Sequence, residues 1–377
     1  MSIKKMRIGI LFGGRSGEHE VSLRSARSVL QAIDHEKYVV SLIGITKNGR
    51  WIGGNNSLAA LEEGDEAIKQ CPDTILLIDP VNNSLLQISC DRNDQAMHIN
   101  KTEDLDVVFP VLHGSFGEDG AVQGLLELAD IPYVGSGLVG SSVGMDKGVF
   151  KSVMYSAGLP VLPSITVNRS EYHSDTGAIV DQIIKRLSLP VFIKPANLGS
   201  SVGITKVSNV AELESGLHEA SKWDRRIVIE QGVDAREIEV SVLGNDNPQV
   251  SIAGEVVPQR DFYDYDAKYV SADSELIIPA PISPDQLVSI QEMAIAAYKA
   301  VDCSGMARVD FLLDKSSGKV WINELNTIPG FTSISMYPKL WQASGIEYPE
   351  LIDKLIELAL ERKEQRDAIE RSFEVLH

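Results

Sequence analysis

The stretch MARVDFLLDKSSGKVWINELN, Met306–Asn326, contains two alternating apolar runs joined by a short polar connection. This alternation predicts two β-strands, and the connection DKSSGK is typical of a hairpin. Arg308 and Asp310 are two residues apart, so their side chains share one face of the first strand. Glu324 and Asn326 share one face of the second strand in the same way. If the strands pair, one face carries two carboxylates, an amide and a guanidinium.

The charged face of this hairpin has two interpretations. An exposed hairpin with paired charges is common on protein surfaces. The residues between the charged positions are strongly apolar, however, which predicts that both faces are covered. Buried charges are costly unless they pair or coordinate a metal. Because carboxylate and amide oxygens suit Mg²⁺, which also binds phosphates, we favour a magnesium site formed by Asp310, Glu324 and Asn326.

A second informative stretch is KPANLGSSVG, Lys194–Gly203, which follows an apolar strand. A Gly- and Ser-rich loop can offer backbone N–H groups to phosphate, and Lys194 adds a point charge. Such loops are frequent, so the pattern alone is weak. Beside a magnesium site and Lys147 in MDKGVF, it predicts a cradle for a triphosphate. The loop is not a P-loop, because the pattern G-x-x-x-x-G-K-[ST] is absent.

The N-terminal stretch MRIGILFGGRSGEHEVS, Met6–Ser22, predicts a strand, a tight turn and the start of a helix. A dinucleotide-binding turn needs the spacing G-x-G-x-x-G, which is missing here. Glu18 and Glu20 follow the turn instead, and carboxylates at a helix N-terminus repel a phosphate. The turn is better suited to a cationic group such as an ammonium.

Composition limits the class of protein. The chain has 377 residues, 44% of them hydrophobic, which is enough for two or three domains. The net charge of −18 argues against nucleic acid and anionic membranes as partners. No apolar run is long enough to span a membrane, and the N-terminus lacks a secretory pattern. Three scattered cysteines predict neither a disulfide framework nor a zinc site. We therefore expect a reduced, cytoplasmic enzyme.

Strand-like and helix-like runs alternate along the chain, which predicts an α/β (α+β) fold. We expect an N-terminal α/β domain with a parallel sheet over residues 1–140. A central domain is expected over 141–235 and a C-terminal domain over 236–377. The pattern of Ser57–Thr102 is indistinct, and we interpret it as a variable insertion without function. Pro258–Ser274 is polar and rich in tyrosine.

Seven motifs together resemble the D-alanine–D-alanine ligase family of the ATP-grasp superfamily. They occur in the family's order between residue 6 and about residue 360, namely GEHEVS, HGSFGEDG, MDK, KPANLGSSVG, FYDYDAKY, ARVDFLL and NELNTIPGFTSIS. The resemblance implies an ATP-grasp fold and ATP-dependent ligation of two D-alanines through a D-alanyl phosphate, for peptidoglycan precursor synthesis. It also implies ATP, two Mg²⁺ ions (with Mn²⁺ as a substitute) and a homodimer.

The resemblance further assigns a nucleotide site. The residues that would meet adenine and ribose are Glu230, Gln231, Val233 and Glu237. Those that would hold the phosphates are Lys147, Lys194, Ser200 and Ser201. The two Mg²⁺ ions would be held by Asp310, Glu324 and Asn326.

The resemblance assigns the substrate site as well. Glu18 would receive the ammonium of the first D-alanine and form a hydrogen-bonded triad with Ser200 and Tyr269. The stretch Pro258–Ser274 would close over the site as a lid. The remaining substrate residues implied by the family are His113, Lys268, Arg308 and Ser335, with Arg308 and the Gly330 backbone stabilising the oxyanion.

Three alternatives stay open. His113 can also be interpreted as a structural histidine at a strand end. A D-alanine–D-lactate or D-serine ligase, or another ATP-grasp carboxylate–amine ligase, would use the same metal and phosphate residues. A non-catalytic ATP-binding module is disfavoured, because binding alone does not need an oxyanion donor such as Arg308.

Overall fold

The computed structural model describes residues 4–82, 84–90, 97–258 and 274–370, and in this part of the chain three β-sheets follow one another. Lys268 and Tyr269, and with them most of the predicted lid, lie outside the described residues. The triad predicted for Tyr269 is therefore described only at Glu18 and Ser200.

The first sheet has the strand order β6-β5-β4-β3-β2-β1-β7. Its strands are β1 (Met6–Gly13), β2 (Tyr38–Ile45), β3 (Trp51–Gly53), β4 (Asp73–Leu76), β5 (Ser84–Cys90), β6 (Met97–Asp104) and β7 (Val107–Pro110). The helices of this part are α1 (His19–Ala32), α2 (Ser57–Glu63), α3 (Asp65–Ile68), α4 (Ala121–Leu128) and α5 (Leu138–Met145).

The first sheet is mixed rather than wholly parallel. Strand β1 pairs in parallel with β2 and β7, which confirms the predicted parallel centre. The indistinct segment Ser57–Thr102 folds into α2, α3 and most of an antiparallel extension, β4 to β6. Beyond β7 the chain adds only a single parallel bridge, Val108 to Tyr133.

The second sheet is antiparallel, with the order β10-β9-β11-β8. It contains β8 (Ser164–Asn168), β9 (Val191–Pro195), β10 (Thr205–Val207) and β11 (Arg226–Gln231). Its helices are α6 (Lys147–Ser156), α7 (Arg169–Ser174), α8 (Thr176–Arg186) and α9 (Leu213–Trp223). Helix α6 ends before Gly158, which has a φ of +73° and takes the left-handed conformation that helix ends favour.

The third sheet has the order β15-β14-β12-β16-β17, and β13 also pairs with β12. Its strands are β12 (Ala235–Leu243), β13 (Gln249–Val250), β14 (Gly254–Pro258), β15 (Ser274–Ile277), β16 (Met306–Asp314) and β17 (Val320–Asn326). Helices α10 (Pro284–Ala300), α11 (Met336–Ala343) and α12 (Tyr348–Asp367) complete the described chain.

The hairpin predicted from the opening stretch is confirmed. Strands β16 and β17 are antiparallel, with Arg308 opposite Asn326 and Asp310 opposite Glu324. The register shifts after Asp310, so that Asn323 is left as an extra residue in β17. This bulge falls beside the charged positions, where bulges commonly redirect side chains.

The last described helix packs on the first sheet. Leu351, Leu355 and Ile356 of α12 are buried in one hydrophobic cluster with Ile8 of β1 and Phe109 of β7. The first and third sheets therefore share a hydrophobic core, although they belong to different predicted domains. The division into separate domains stays a prediction. No helix of the described chain is long and apolar enough to cross a membrane.

Replacing Leu355 by alanine tests this shared core. Leu355 is 0% exposed, and truncating a buried leucine costs about 2–5 kcal/mol. We expect Leu355→Ala to lower the free energy of unfolding by that amount in urea titrations followed by circular dichroism. The exposed neighbour Glu357 serves as the control, and Glu357→Ala should stay within about 0.5 kcal/mol of the parent. Equal stability of the two variants would contradict the packing.

Candidate active site

Glu18 joins the first sheet to the loop of the second sheet. It follows the turn after β1 and is the N-cap residue of α1, but its side chain makes no capping hydrogen bond. Instead its carboxylate, which is only 6% exposed, accepts a hydrogen bond from the Ser200 hydroxyl. Gly114 has a φ of +72°, which favours glycine, and a Cβ added there would lie 2.3 Å from Glu18 Oε2 and displace the carboxylate. The structure thus brings together two of the three predicted triad residues.

The loop that contains Ser200 has an unusual backbone. Ser200 and Ser201 have φ values of +54° and +57°, in the left-handed region that non-glycine residues seldom adopt. Strain of this kind is concentrated at functional sites. The Lys147 ammonium holds the loop by donating to the Leu198 carbonyl at 2.8 Å, and it lies 3.8 Å from Glu324 Oε2. Lys147 therefore connects the loop to the charged hairpin.

Two buried lysines meet on one carboxylate. Lys151 of α6 and Lys194 of β9 each form an ion pair with Glu230 of β11, which is 2% exposed. Burial alone would raise the pKa of Glu230, but the two ammonium groups outweigh it and lower that pKa to about 2. Burial lowers the pKa of Lys151, whereas the charge of Glu230 overcomes burial and raises the pKa of Lys194.

Lys151 is a site residue that sequence reasoning missed. It follows Lys147 by four residues, a spacing that places both side chains on one face of a helix. That spacing was the available signal in MDKGVFK.

The charged face of the β16–β17 hairpin is tightly paired. The Arg308 guanidinium donates to both carboxylate oxygens of Asp310 at 2.7 Å, and Arg308 Nε lies 2.9 Å from Glu239 Oε2. The Asn326 amide donates to Asp310 Oδ2 at 2.9 Å. Burial opposes the charge of Arg308, but the carboxylates around it raise its pKa well above the usual range. Sequence reasoning missed Glu239, whose position became evident only from the pairing of β12 with β16.

The donor set of the hairpin fits Mg²⁺. Asp310 and Glu324 are cross-strand partners, and Asn326 adds an amide oxygen. Among the residues that the structure describes, no three His, Cys, Asp or Glu side chains converge as a complete metal site. Mg²⁺ is commonly held by one or two carboxylates together with substrate phosphates. Two carboxylates and an amide, with Lys147 joining them to the loop of Ser200, are therefore a set that fits Mg²⁺.

His113 lies at the carboxyl end of β7 and is 3% exposed. Its Nδ1 is 2.9 Å from the Ile328 carbonyl oxygen, and its Nε2 is 2.8 Å from Ser25 Oγ. Because a carbonyl can only accept, Nδ1 carries the hydrogen. Burial lowers the pKa of His113 more than the nearby Glu18 charge raises it. The ring fixes the loop after β17; a contact with substrate stays a prediction.

A second buried group, Glu118, holds the same loop. Its carboxyl oxygens accept N–H groups from Gly114 at 2.8 Å and from Ile328 at 3.0 Å. Burial, followed by the charge of Glu18, raises the pKa of Glu118 to about 8. Sequence reasoning did not single out this residue, although it lies within HGSFGEDG.

The remaining predicted site residues lie in or between β11 and β12, or in the segment that follows β17. A Cβ added to Gly330 would lie 3.3 Å from Ser335 Oγ, so these two predicted residues are neighbours. The Gln231 amide binds the backbone of Ser188 through both its oxygen and its nitrogen. Val233 is half-buried between β11 and β12, and Glu237 contributes to the raised pKa of Lys194.

The described chain has two antiparallel sheets, one with the loop of Ser200 and Ser201 and the other with the acidic β16–β17 hairpin, and this α/β arrangement is the ATP-grasp fold of ligases. Residues 7–136 match the family model described as the D-ala D-ala ligase N-terminus, and residues 153–357 match the model of its C-terminus. The chain belongs to the D-alanine–D-alanine ligase family.

Relatives match over nearly the whole chain. A protein of Heliobacterium modesticaldum named D-alanine--D-alanine ligase is 49% identical, covering 97% of this chain and 98% of its own. Among solved structures, the D-alanine-D-alanine ligase from Coxiella burnetii is 36% identical with a TM-score of 0.81, covering 97% of each chain. The VanG D-Ala:D-Ser ligase from Enterococcus faecalis is 36% identical with a TM-score of 0.82, covering 94% of this chain and 100% of its own.

The neutral state of His113 can be measured. Its pKa is lower in the folded protein than the ordinary ~6.5, so the stability that the neutral ring contributes is present above that pH. This contribution is lost as the pH falls through the folded-state value. We expect His113 to stay neutral to a lower pH than an ordinary histidine, with its hydrogen on Nδ1. Nitrogen-15 NMR of histidine-labelled protein, titrated with pH and assigned with His113→Gln, measures both properties. A pKa at or above the ordinary value would contradict the effect of burial, and a neutral ring with its hydrogen on Nε2 would contradict the geometry.

Proposed function

We propose that this protein joins two D-alanines to D-alanyl-D-alanine, with conversion of ATP to ADP and phosphate. The observation that carries the proposal is the hydrogen bond between Glu18 and Ser200. It places a buried carboxylate, suited to an amino acid's ammonium, directly beside a loop suited to phosphates. An amino acid held at that point has its own carboxylate within the phosphate site.

The first half-reaction activates the first D-alanine. A carboxylate is a poor acyl donor, so its oxygen attacks the γ-phosphorus of ATP, forming D-alanyl phosphate and releasing ADP. Lys147 and Lys194, with the Ser200–Ser201 backbone, would neutralise the charge spread over the phosphoryl oxygens. Mg²⁺ bound at Asp310, Glu324 and Asn326 would supply further positive charge there.

The second half-reaction forms the peptide bond. The amine of the second D-alanine, after losing a proton, attacks the acyl carbon, and phosphate leaves. Arg308 and the Gly330 N–H would stabilise the tetrahedral oxyanion, an effect commonly worth about 3–4 kcal/mol. Ser335, next to Gly330, would position the second D-alanine. By family resemblance, Lys268 and Tyr269 would close the site against water.

The family resemblance also suggests where the nucleotide lies and where the enzyme acts. We propose that adenine and ribose lie against Glu230, Gln231, Val233 and Glu237, beyond Lys194. We also propose a cytoplasmic location, where ATP is available, a homodimeric assembly and a role in peptidoglycan precursor synthesis. The family resemblance supports these points.

The competing candidate function differs in the acceptor, which is the second substrate of the ligase. A solved relative at 36% identity is named a D-Ala:D-Ser ligase, so a hydroxylated acceptor has to be tested. We expect ATP, Mg²⁺ and D-alanine alone to release phosphate and give D-alanyl-D-alanine, identified by mass spectrometry. With D-alanine and either D-serine or D-lactate at equal concentration, the dipeptide should be the main product near neutral pH. Mainly mixed product would favour the competing candidate, and no phosphate release with any acceptor would refute the ligase function.

The ammonium site can be tested by a matched pair of carboxylates. Glu18→Gln removes the charge that would bind the first D-alanine, and a hydrogen bond to a charged group contributes about 1.5–3 kcal/mol. We therefore expect kcat/KM for D-alanine to fall by about 10- to 100-fold. Glu20, two residues later, is exposed and pairs with Lys47. Glu20→Gln should leave the kinetics unchanged, and equal effects of both changes would exclude a specific role of Glu18.

A further inference from the structure

Lys151, Lys194 and Glu230 form a buried cluster with two lysines. Of these two lysines the proposed phosphate site uses only Lys194, so the role of Lys151 is unassigned. The exposed fractions of these three side chains are 5%, 14% and 2%, respectively. Lys194 is thus the more exposed of the two ammonium groups and the one placed to reach a ligand. Lys151 is directed into the protein, where it pairs with Glu230.

Binding of a phosphate by Lys194 would weaken the ion pair that Lys194 forms with Glu230. When the Lys194 ammonium turns toward phosphate oxygens, its contact with the Glu230 carboxylate weakens. A buried carboxylate that loses its partner is strongly destabilised, because no water replaces the lost charge. Without a second cation, Lys194 would be held on Glu230 and nucleotide would bind at the expense of that pair.

We propose that Lys151 is a positioning residue of the nucleotide site, which keeps Glu230 paired so that Lys194 can turn to a phosphate. Helix α6 serves two purposes in this arrangement. Lys147, at its start, holds the phosphate loop, and Lys151, one turn later on the same face, neutralises Glu230. The inference rests on the proposed function, since it requires a nucleotide at this site.

The alternative role for Lys151 is direct contact with phosphate. The two roles differ in what happens when Glu230 is also neutralised. If Lys151 only balances Glu230, its removal weakens binding little once Glu230 is already neutral. If Lys151 contacts the phosphate, its removal weakens binding in that background as well.

The experiment measures binding of AMPPNP with Mg²⁺ to the full chain by isothermal titration calorimetry. We expect the parent to bind and Lys151→Met to raise the Kd at least about tenfold. Lys151→Arg keeps the charge and should stay within about threefold of the parent. The double variant Lys151→Met/Glu230→Gln should bind about tenfold more tightly than Lys151→Met alone and within about threefold of Glu230→Gln, the variant that measures any contribution of Glu230 itself. The exposed Lys222, paired with Glu219 on α9, is the control, and Lys222→Met should stay within about twofold.

Steady-state kinetics distinguishes a positioning role from a merely structural one, because a structural defect would not change one KM selectively. The KM for ATP should rise in Lys151→Met, while the KM for D-alanine changes little.

The outcomes separate the inference from the proposed function. A parent that does not bind AMPPNP refutes the proposed function. A parent that binds, with Lys151→Met binding equally well, overturns only the role of Lys151. A double variant that binds much more weakly than Glu230→Gln overturns it too, in favour of direct contact. If Lys151→Met does not melt cooperatively, the double variant decides: binding within about threefold of Glu230→Gln supports the inference, and a clear loss relative to Glu230→Gln overturns it.

Discussion

The register of the β16–β17 hairpin is the constraint on which the rest of the site depends. A slip of one residue would turn a whole strand over, because side chains alternate between the two faces. The observed register, with its bulge at Asn323, aligns Asp310 with Glu324 and Arg308 with Asn326. Two further charged groups are placed against this face: Glu239 from the neighbouring strand and Lys147 from α6.

Local pairing governs the electrostatics of the site. The chain carries a net charge of −18, so its overall field repels phosphates and carboxylates alike. The site overcomes this field with buried cations, each held by a carboxylate at short range, as Arg308 is by Asp310 and Lys194 by Glu230. Such pairs are expensive to desolvate and costly to break. The pair of Arg308 with Asp310 keeps its positive charge fixed before any ligand arrives, which is what electrostatic preorganisation requires.

Much of this site could be predicted because its residues are neighbours in sequence. Arg308 and Asp310, or Glu324 and Asn326, reveal their common face through a spacing of two. Glu239 and Glu118 could not be found in this way, since only strand pairing and a loop contact bring them in. The antiparallel strands of Ser57–Thr102 were missed because their alternation is short and interrupted by polar residues. The family resemblance supplied the roles of residues, whereas the structure supplied their partners.

The packing of α12 on the first sheet has a consequence for how the protein is made. Residues 348–367 leave the ribosome long after β1 and β7, yet they cover the apolar surface that includes Ile8 and Phe109. Until translation reaches them, that surface stays open, and exposed apolar surface on a growing chain favours aggregation. The apolar face of the N-terminal sheet is therefore covered only after α12 has been made, and it is open to aggregation while the intervening residues are translated.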